Sequence, residues 1–247
     1  MTDESCKQCE KKSFSERIRE MKKHKGKYEM EWRMITYMLG VFFLLLVIES
    51  LAYVGIIHNQ NILSHYGWWV FYATIAVVSV GAAMWHFNSY KGDIGMMPGM
   101  MVGMTFGMQT GLMIGAIMAA TNGIFVGGMT GMIAGTFIGW FNGRCCGSMG
   151  IMEGMMAGMM NGIMGGMIGT MFSSDHILWF MPVFIAINIT IMLGLSYMLF
   201  EHYIENNDKI TKKPIDFLTF FSYCFLVVFV LIIIMVFAPK SGLARIG

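Results

Sequence analysis

Methionine is spaced along two segments of this sequence in a way that could bind a soft metal ion. The chain contains 29 methionines, and many of those between residues 95 and 171 recur at every fourth position. Thioether sulfur is a soft ligand that favours Cu(I) or Ag(I) over hard cations. Each thioether binds weakly, so a row of them lets an ion enter and still leave. The candidate ligands are Met97, Met100, Met101, Met104, Met108, Met152, Met155, Met156, Met159, Met160 and Met164.

Methionine also has a purely structural use, because its flexible side chain fills gaps beside small residues. If packing alone determined these positions, Leu, Ile and Ala should share them, whereas Met dominates. Both explanations stay open at this stage. The excess of Met favours metal binding.

Four cysteine thiols could exchange the same ion. Cys6 and Cys9 form a C-x-x-C motif in the polar N-terminal tail, and Cys145 and Cys146 are adjacent in a predicted loop. Thiolates bind Cu(I) or Zn(II), and neighbouring lysines favour the thiolate form. With Cys224 the number is five, which does not indicate a disulfide framework. An incidental pair of thiols is the alternative.

Glu49 lies inside the first predicted membrane span. A carboxyl within a span is a functional-site hypothesis by default, because a buried charge is costly there. We expect Glu49 either to be protonated or to pair with His86 of the next span.

Composition predicts the elements that must position these residues. Hydrophobic residues make up 56% of the chain and charged residues 13%, against about 25% charged in ordinary soluble domains. Uncharged runs exceed the roughly 20 residues that cross a bilayer. We therefore expect an all-α polytopic membrane protein of about seven transmembrane helices. The predicted spans are Met34–Ile57, Gly67–Phe87, Ile94–Ala119, Gly123–Phe141, Met149–Phe172, Ile177–Phe200 and Ile215–Ala238.

The spans group into four predicted regions, and their flanking charges predict an orientation. Residues 1–33 form a charged tail, 34–93 two N-terminal spans, 94–172 a Gly/Met-rich three-helix core, and 173–247 two C-terminal spans. Basic residues concentrate in the tail and in alternate loops, which is the positive-inside pattern. We expect the plasma membrane, with the N-terminus in the cytoplasm and the lipid bilayer as first partner.

Glycine recurs at every fourth residue in the three predicted core helices, from Gly95 to Gly115, Gly123 to Gly139 and Gly150 to Gly166. Glycine in a helix costs about 1 kcal/mol against alanine in water, but in membranes small residues four apart let helices approach closely. Residues 95–115 and 150–170 also repeat one another without gaps. These patterns predict a central glycine-zipper bundle, and a homo-oligomer or a larger membrane complex.

The M-x-x-x-M motif beside G-x-x-x-G resembles the Ctr family of copper transporters. In that family a methionine pair forms the selective ring of a trimeric pore, and a glycine motif packs it. The resemblance is confined to short segments within 95–171 and does not extend to the full chain. It implies Met100 with Met104, or Met156 with Met160, as ring candidates.

The sequence lacks the motifs that mark several functional classes. The sequence has no phosphate loop, no H-E-x-x-H and no dinucleotide fingerprint, so we expect no enzyme, no organic cofactor and no nucleic-acid partner. The expected function is transport or binding of Cu(I) or Ag(I), with a cytoplasmic copper chaperone as a partner. The alternative is a structural or accessory membrane protein, either an oligomerising scaffold or a subunit of a copper enzyme or respiratory complex.

Overall fold

The computed structural model describes residues 29–57, 67–89, 96–144, 147–174, 176–199 and 217–239. Within these ranges the chain forms seven α-helices and a short 3₁₀ turn at Phe172–Ser174, so the predicted all-α class is confirmed. The helices are α1 (Glu29–Ile57), α2 (Gly67–Ser89), α3 (Met96–Asn122), α4 (Ile124–Gly143), α5 (Gly147–Met171), α6 (Ile177–Leu199) and α7 (Phe217–Phe237).

Five of these helices are long and apolar enough to cross a membrane, and the protein is an integral membrane protein. They are α2, α3, α4, α6 and α7. In α1 the side chains of Thr36–Leu51 are described, and they form an apolar stretch. α5 is not among the five, because glycines, Glu153 and Asn161 dilute its apolar residues.

Contacts divide the chain into two units, 1–37 and 38–247. Of the first unit the structure describes only the start of α1. Everything below concerns the second unit.

Helices α3, α4 and α5 meet in four layers, and each layer contains one glycine from each helix. A Cβ atom added at Gly107 would lie 2.5 Å from the carbonyl oxygen of Gly154, and one added at Gly139 would lie 2.2 Å from that same atom. The backbones are therefore in direct contact, and no side chain fits between them. From one end to the other the layers are Gly103/Gly143/Gly150, Gly107/Gly139/Gly154, Gly111/Gly135/Gly158 and Gly115/Gly131/Gly162.

The order of contacts fixes the directions of the three helices. Numbers rise together in α3 and α5, which are parallel, and fall in α4, which is antiparallel to both. One residue, Gly123, connects α3 to α4 at φ 105°, a backbone conformation that other residues rarely adopt. Four-residue steps place the layers about 6 Å apart, so the four layers extend over about 18 Å, more than half of the roughly 30 Å hydrocarbon core of a bilayer.

Helices α2, α6 and α7 also contact α3, on a side away from the layer glycines. That side contributes fully buried large side chains, among them Phe106, Met113 and Met118. Phe106 packs on Phe87 of α2, with ring centroids 6.1 Å apart. α2 also packs against α6 and α7. α4 and α5 make most of their contacts with α3 and with each other, which leaves much of their outer surface uncovered.

Candidate metal site

The position of each methionine relative to the glycines decides where its side chain points. Successive helix residues are rotated by about 100°, so a residue two places after a layer glycine lies nearly opposite the contact. Met152, two places after Gly150, is 64% exposed. A residue one place after a glycine lies on the flank. Met155, directly after Gly154, is 38% exposed.

The candidate methionines therefore surround the glycine core instead of filling it. Met100 and Met108 are half-buried, and the other nine candidates are exposed. The exposed candidates are Met97, Met101, Met104, Met152, Met155, Met156, Met159, Met160 and Met164. The four candidate thiols, Cys6, Cys9, Cys145 and Cys146, lie outside the described residues.

The interior of the three-helix unit leaves no room for an ion. At the four layers, a Cβ atom added to a glycine would lie as close as 2.2 Å to a backbone atom of a neighbouring helix. Within residues 96–144 and 147–171, these backbone contacts close any path for an ion along the axis that the three helices share. Any site for an ion in this unit must lie on its outer surface.

A groove on that surface brings three thioethers together. It runs along the contact between α4 and α5 and encloses about 460 Å³. Thr136 supplies the only hydroxyl among its lining residues. The lining residues are Met132, Ile133, Thr136, Phe137 and Trp140 from α4, and Met155 and Met159 from α5.

All three methionines of the groove occupy flank positions, each directly after a layer glycine. Met132 follows Gly131 on α4, while Met155 and Met159 follow Gly154 and Gly158 of the two adjoining layers on α5. Because the two helices are antiparallel and touch through those glycines, their flanks meet at the groove. Met132 was not among the candidate ligands from sequence. Its position directly after a glycine of the four-residue spacing is the sequence feature that could have identified Met132 as a ligand.

Trp140, the groove residue nearest the C-terminal end of α4, contacts Arg144. The guanidinium carbon of Arg144 lies 3.7 Å from the centroid of the Trp140 ring, which is a cation–π contact. Cys145 follows Arg144 in the sequence.

The chemistry of the groove is that of sulfur and aromatic rings. Hard cations need several oxygen ligands to replace their hydration shell, and the lining residues offer one hydroxyl. A soft cation can bind thioethers in the same place. In the described part of the chain no three His, Cys, Asp or Glu side chains come close enough to form a conventional metal site.

Comparison of the chain with protein-family models, curated proteins and solved structures finds no significant match. The chemistry of the groove is therefore argued from its residues.

Proposed function

We propose that the protein binds a soft monovalent metal ion, Cu(I) or Ag(I), on the methionine surface of the α3–α4–α5 unit. The observation that carries the proposal is the groove where Met132, Met155 and Met159 face one space. Neutral thioethers hold such an ion without the cost of a buried negative charge. Transport, in this proposal, follows the outer surface of the unit, because its axis is filled by backbone.

The exposure of the methionines supports this proposal over simple packing. Methionine as a filler of glycine gaps should point into those gaps, yet all nine methionines of α5 are exposed. The exposed face of α7 provides an internal comparison, because its exposed aliphatic and phenylalanine side chains, such as Leu226, Phe229 and Ile233, include no methionine. Contact with lipid alone does not require methionine in this protein.

The wider organisation belongs to the same proposal. Seven spans and a cytoplasmic N-terminus bring Cys6, Cys9, Cys145 and Cys146 to the cytoplasmic face, where they exchange Cu(I) with a copper chaperone. The membrane is the plasma membrane. The uncovered face of α5 meets a second copy or another subunit, and the glycine layers act as a glycine zipper.

Cu(I) binding by the purified full-length protein, with its five cysteines replaced by serine so that only thioethers remain, tests the proposal. The groove variant M132L/M155L/M159L retains apolar volume and removes three sulfurs. We expect its Cu(I) affinity to fall at least about tenfold, which is about 1.4 kcal/mol. The measurement is anaerobic competition against a coloured Cu(I) chelator, with X-ray absorption to count sulfur neighbours.

The matched control is M129L/M167L/M171L, three exposed methionines outside the groove lining. It should bind Cu(I) as the cysteine-free parent protein does. Equal affinity and equal sulfur counts in all three proteins would refute the groove as the site.

A structural role is the second candidate function, and the glycine layers favour it. In this alternative the α3–α4–α5 unit is a rigid scaffold for assembly, and methionine only covers it. The groove variant would then leave every measured property unchanged, whereas a single Gly→Leu change in a layer would abolish the assembled form in size-exclusion chromatography.

A further inference from the structure

Glu49 and Thr74 form a polar contact inside the bilayer, at a distance from the methionine surface. Glu49 lies eight residues before the end of α1, and Thr74 seven residues after the start of α2. At 1.5 Å per residue both stand about 11–12 Å from the same end of the bundle. The Thr74 side chain is fully buried, and its hydroxyl hydrogen-bonds with Oε1 of Glu49.

The hydrogen-bond geometry at Thr74 accommodates a proton on Glu49. Its hydroxyl lies within bonding distance of Glu49 and also 2.9 Å from the carbonyl oxygen of Val70. A hydroxyl carries one hydrogen and can donate one full bond, while its oxygen can accept another. With Glu49 ionised, the Thr74 hydroxyl donates to the carboxylate, and the Val70 carbonyl keeps the backbone N–H of Thr74. With Glu49 protonated, the acid O–H can donate to Thr74 while the Thr74 hydroxyl donates to Val70, so both contacts then carry a hydrogen.

No cation among the described residues stands near this carboxyl. Only two lysine or arginine residues fall in the described ranges. Arg33 precedes Glu49 by sixteen residues, and the guanidinium of Arg144 covers Trp140. An isolated carboxylate in an apolar medium is so costly that it binds a proton instead.

The other titratable side chains of the neighbouring helices are directed elsewhere. On α2, Tyr72 donates to a backbone carbonyl at the start of α6 at 3.4 Å, and His86 lies about 18 Å further along the helix than Thr74. On α7, Cys224 packs against α2 at Gly81, and Tyr223 is exposed.

We propose that Glu49, together with Thr74, is a proton-binding site within the membrane. The carboxyl hydrogen-bonds with Thr74 as the neutral acid and exchanges its proton with water at the end of the bundle nearer to Ile57. The site is independent of the metal proposal, since none of its atoms belongs to the methionine surface.

Reaction with a lipid-soluble carbodiimide tests the site. The acid O–H adds across one C=N bond of the carbodiimide, and the O-acylisourea rearranges to a stable N-acylurea without loss of any atom. The full-length protein in liposomes is treated at neutral pH, and its peptides are analysed by mass spectrometry. We expect an adduct on Glu49 and none on Glu153, the half-buried carboxyl of α5. Absence of the Glu49 adduct, or equal modification of both carboxyls, overturns the proposal.

Infrared spectroscopy supplies an independent measurement. The C=O stretching band of a protonated carboxyl should be present in the unmodified protein and lost in Glu49→Gln. Thr74→Val removes the hydroxyl with little change of volume and should shift this band to higher frequency, while Thr74→Ser should keep it in place. A band that survives in Glu49→Gln contradicts the assignment. A band that Thr74→Val leaves unmoved contradicts the role of Thr74.

Discussion

Neighbouring glycines of the same helix contribute differently to this protein, because only some of them face another backbone. On α4, a Cβ at Gly139 would lie 2.2 Å from the carbonyl oxygen of Gly154, whereas a Cβ at Gly128 would meet nothing within 4 Å. Real Cβ atoms do not approach backbone atoms as closely as 2.2 Å, so a larger residue at Gly139 must push α4 and α5 apart.

The substitution Gly139→Ala should destabilise the protein by about 1–3 kcal/mol, the usual cost of overpacking. Gly128→Ala is the matched control on the same helix, and it should be neutral or stabilising by up to about 1 kcal/mol because alanine favours helix. Unfolding of the purified protein in detergent measures both. Equal effects at the two positions would show that the backbone contact does not limit residue size.

At the scale of the helices, one side chain connects the α3–α4 turn to the end of α7. Asn122 is the last residue of α3 and is 1% exposed. Its Nδ2 lies 3.3 Å from the carbonyl oxygens of Met235 and Ala238 and 3.4 Å from that of Ile234. The last carbonyls of a helix lack partners within it, so Asn122 satisfies the C-terminal end of α7.

Replacing Asn122 by alanine should cost about 1–3 kcal/mol, since buried carbonyls lose their donor. Asn161→Ala is the control, because Asn161 donates only to Ala157 of its own helix at 2.9 Å and should change stability by less than about 0.5 kcal/mol. Hydrogen exchange should also rise at residues 234–238 in the Asn122 variant alone. Unchanged exchange there would contradict the capping role.

The helices themselves could be predicted from the sequence, whereas the pairing between them could not. Long uncharged runs predict the helices, and the observed ends of α2 and α6 differ from the predicted ones by at most two residues. The four-residue glycine spacing suggests close helices, but it does not say which glycines meet. The groove depends on that register, since Met132 comes next to Met155 and Met159 only when α4 and α5 pair antiparallel at particular glycines. Thr74 as partner of Glu49 depends likewise on a contact between helices.

For the whole molecule, the number of crossings depends on α1 and α5, the two helices outside the five that are long and apolar enough to span. α5 carries glycine on one side and methionine on the other, with Glu153 and Asn161 besides, and glycine adds little to its transfer into lipid. Its parallel contact with α3, which is apolar enough to span, places the two side by side through four layers. A helix held this way along a spanning neighbour should cross the membrane with it.

Single cysteines in a variant without native cysteines test this count by their access to an impermeant maleimide on sealed cells. Seven crossings put residues 13 and 212 on one side and residue 64 on the other; with the proposed cytoplasmic N-terminus, S64C should be labelled directly, and S13C and K212C only after permeabilisation. If α5 did not cross, K212C would be labelled together with S64C, because one crossing fewer separates them. If α1 did not cross, S64C would instead behave like S13C. Each failure thus has its own labelling pattern, and only the seven-helix arrangement puts residue 212 on the side of residue 13 while residue 64 is opposite both.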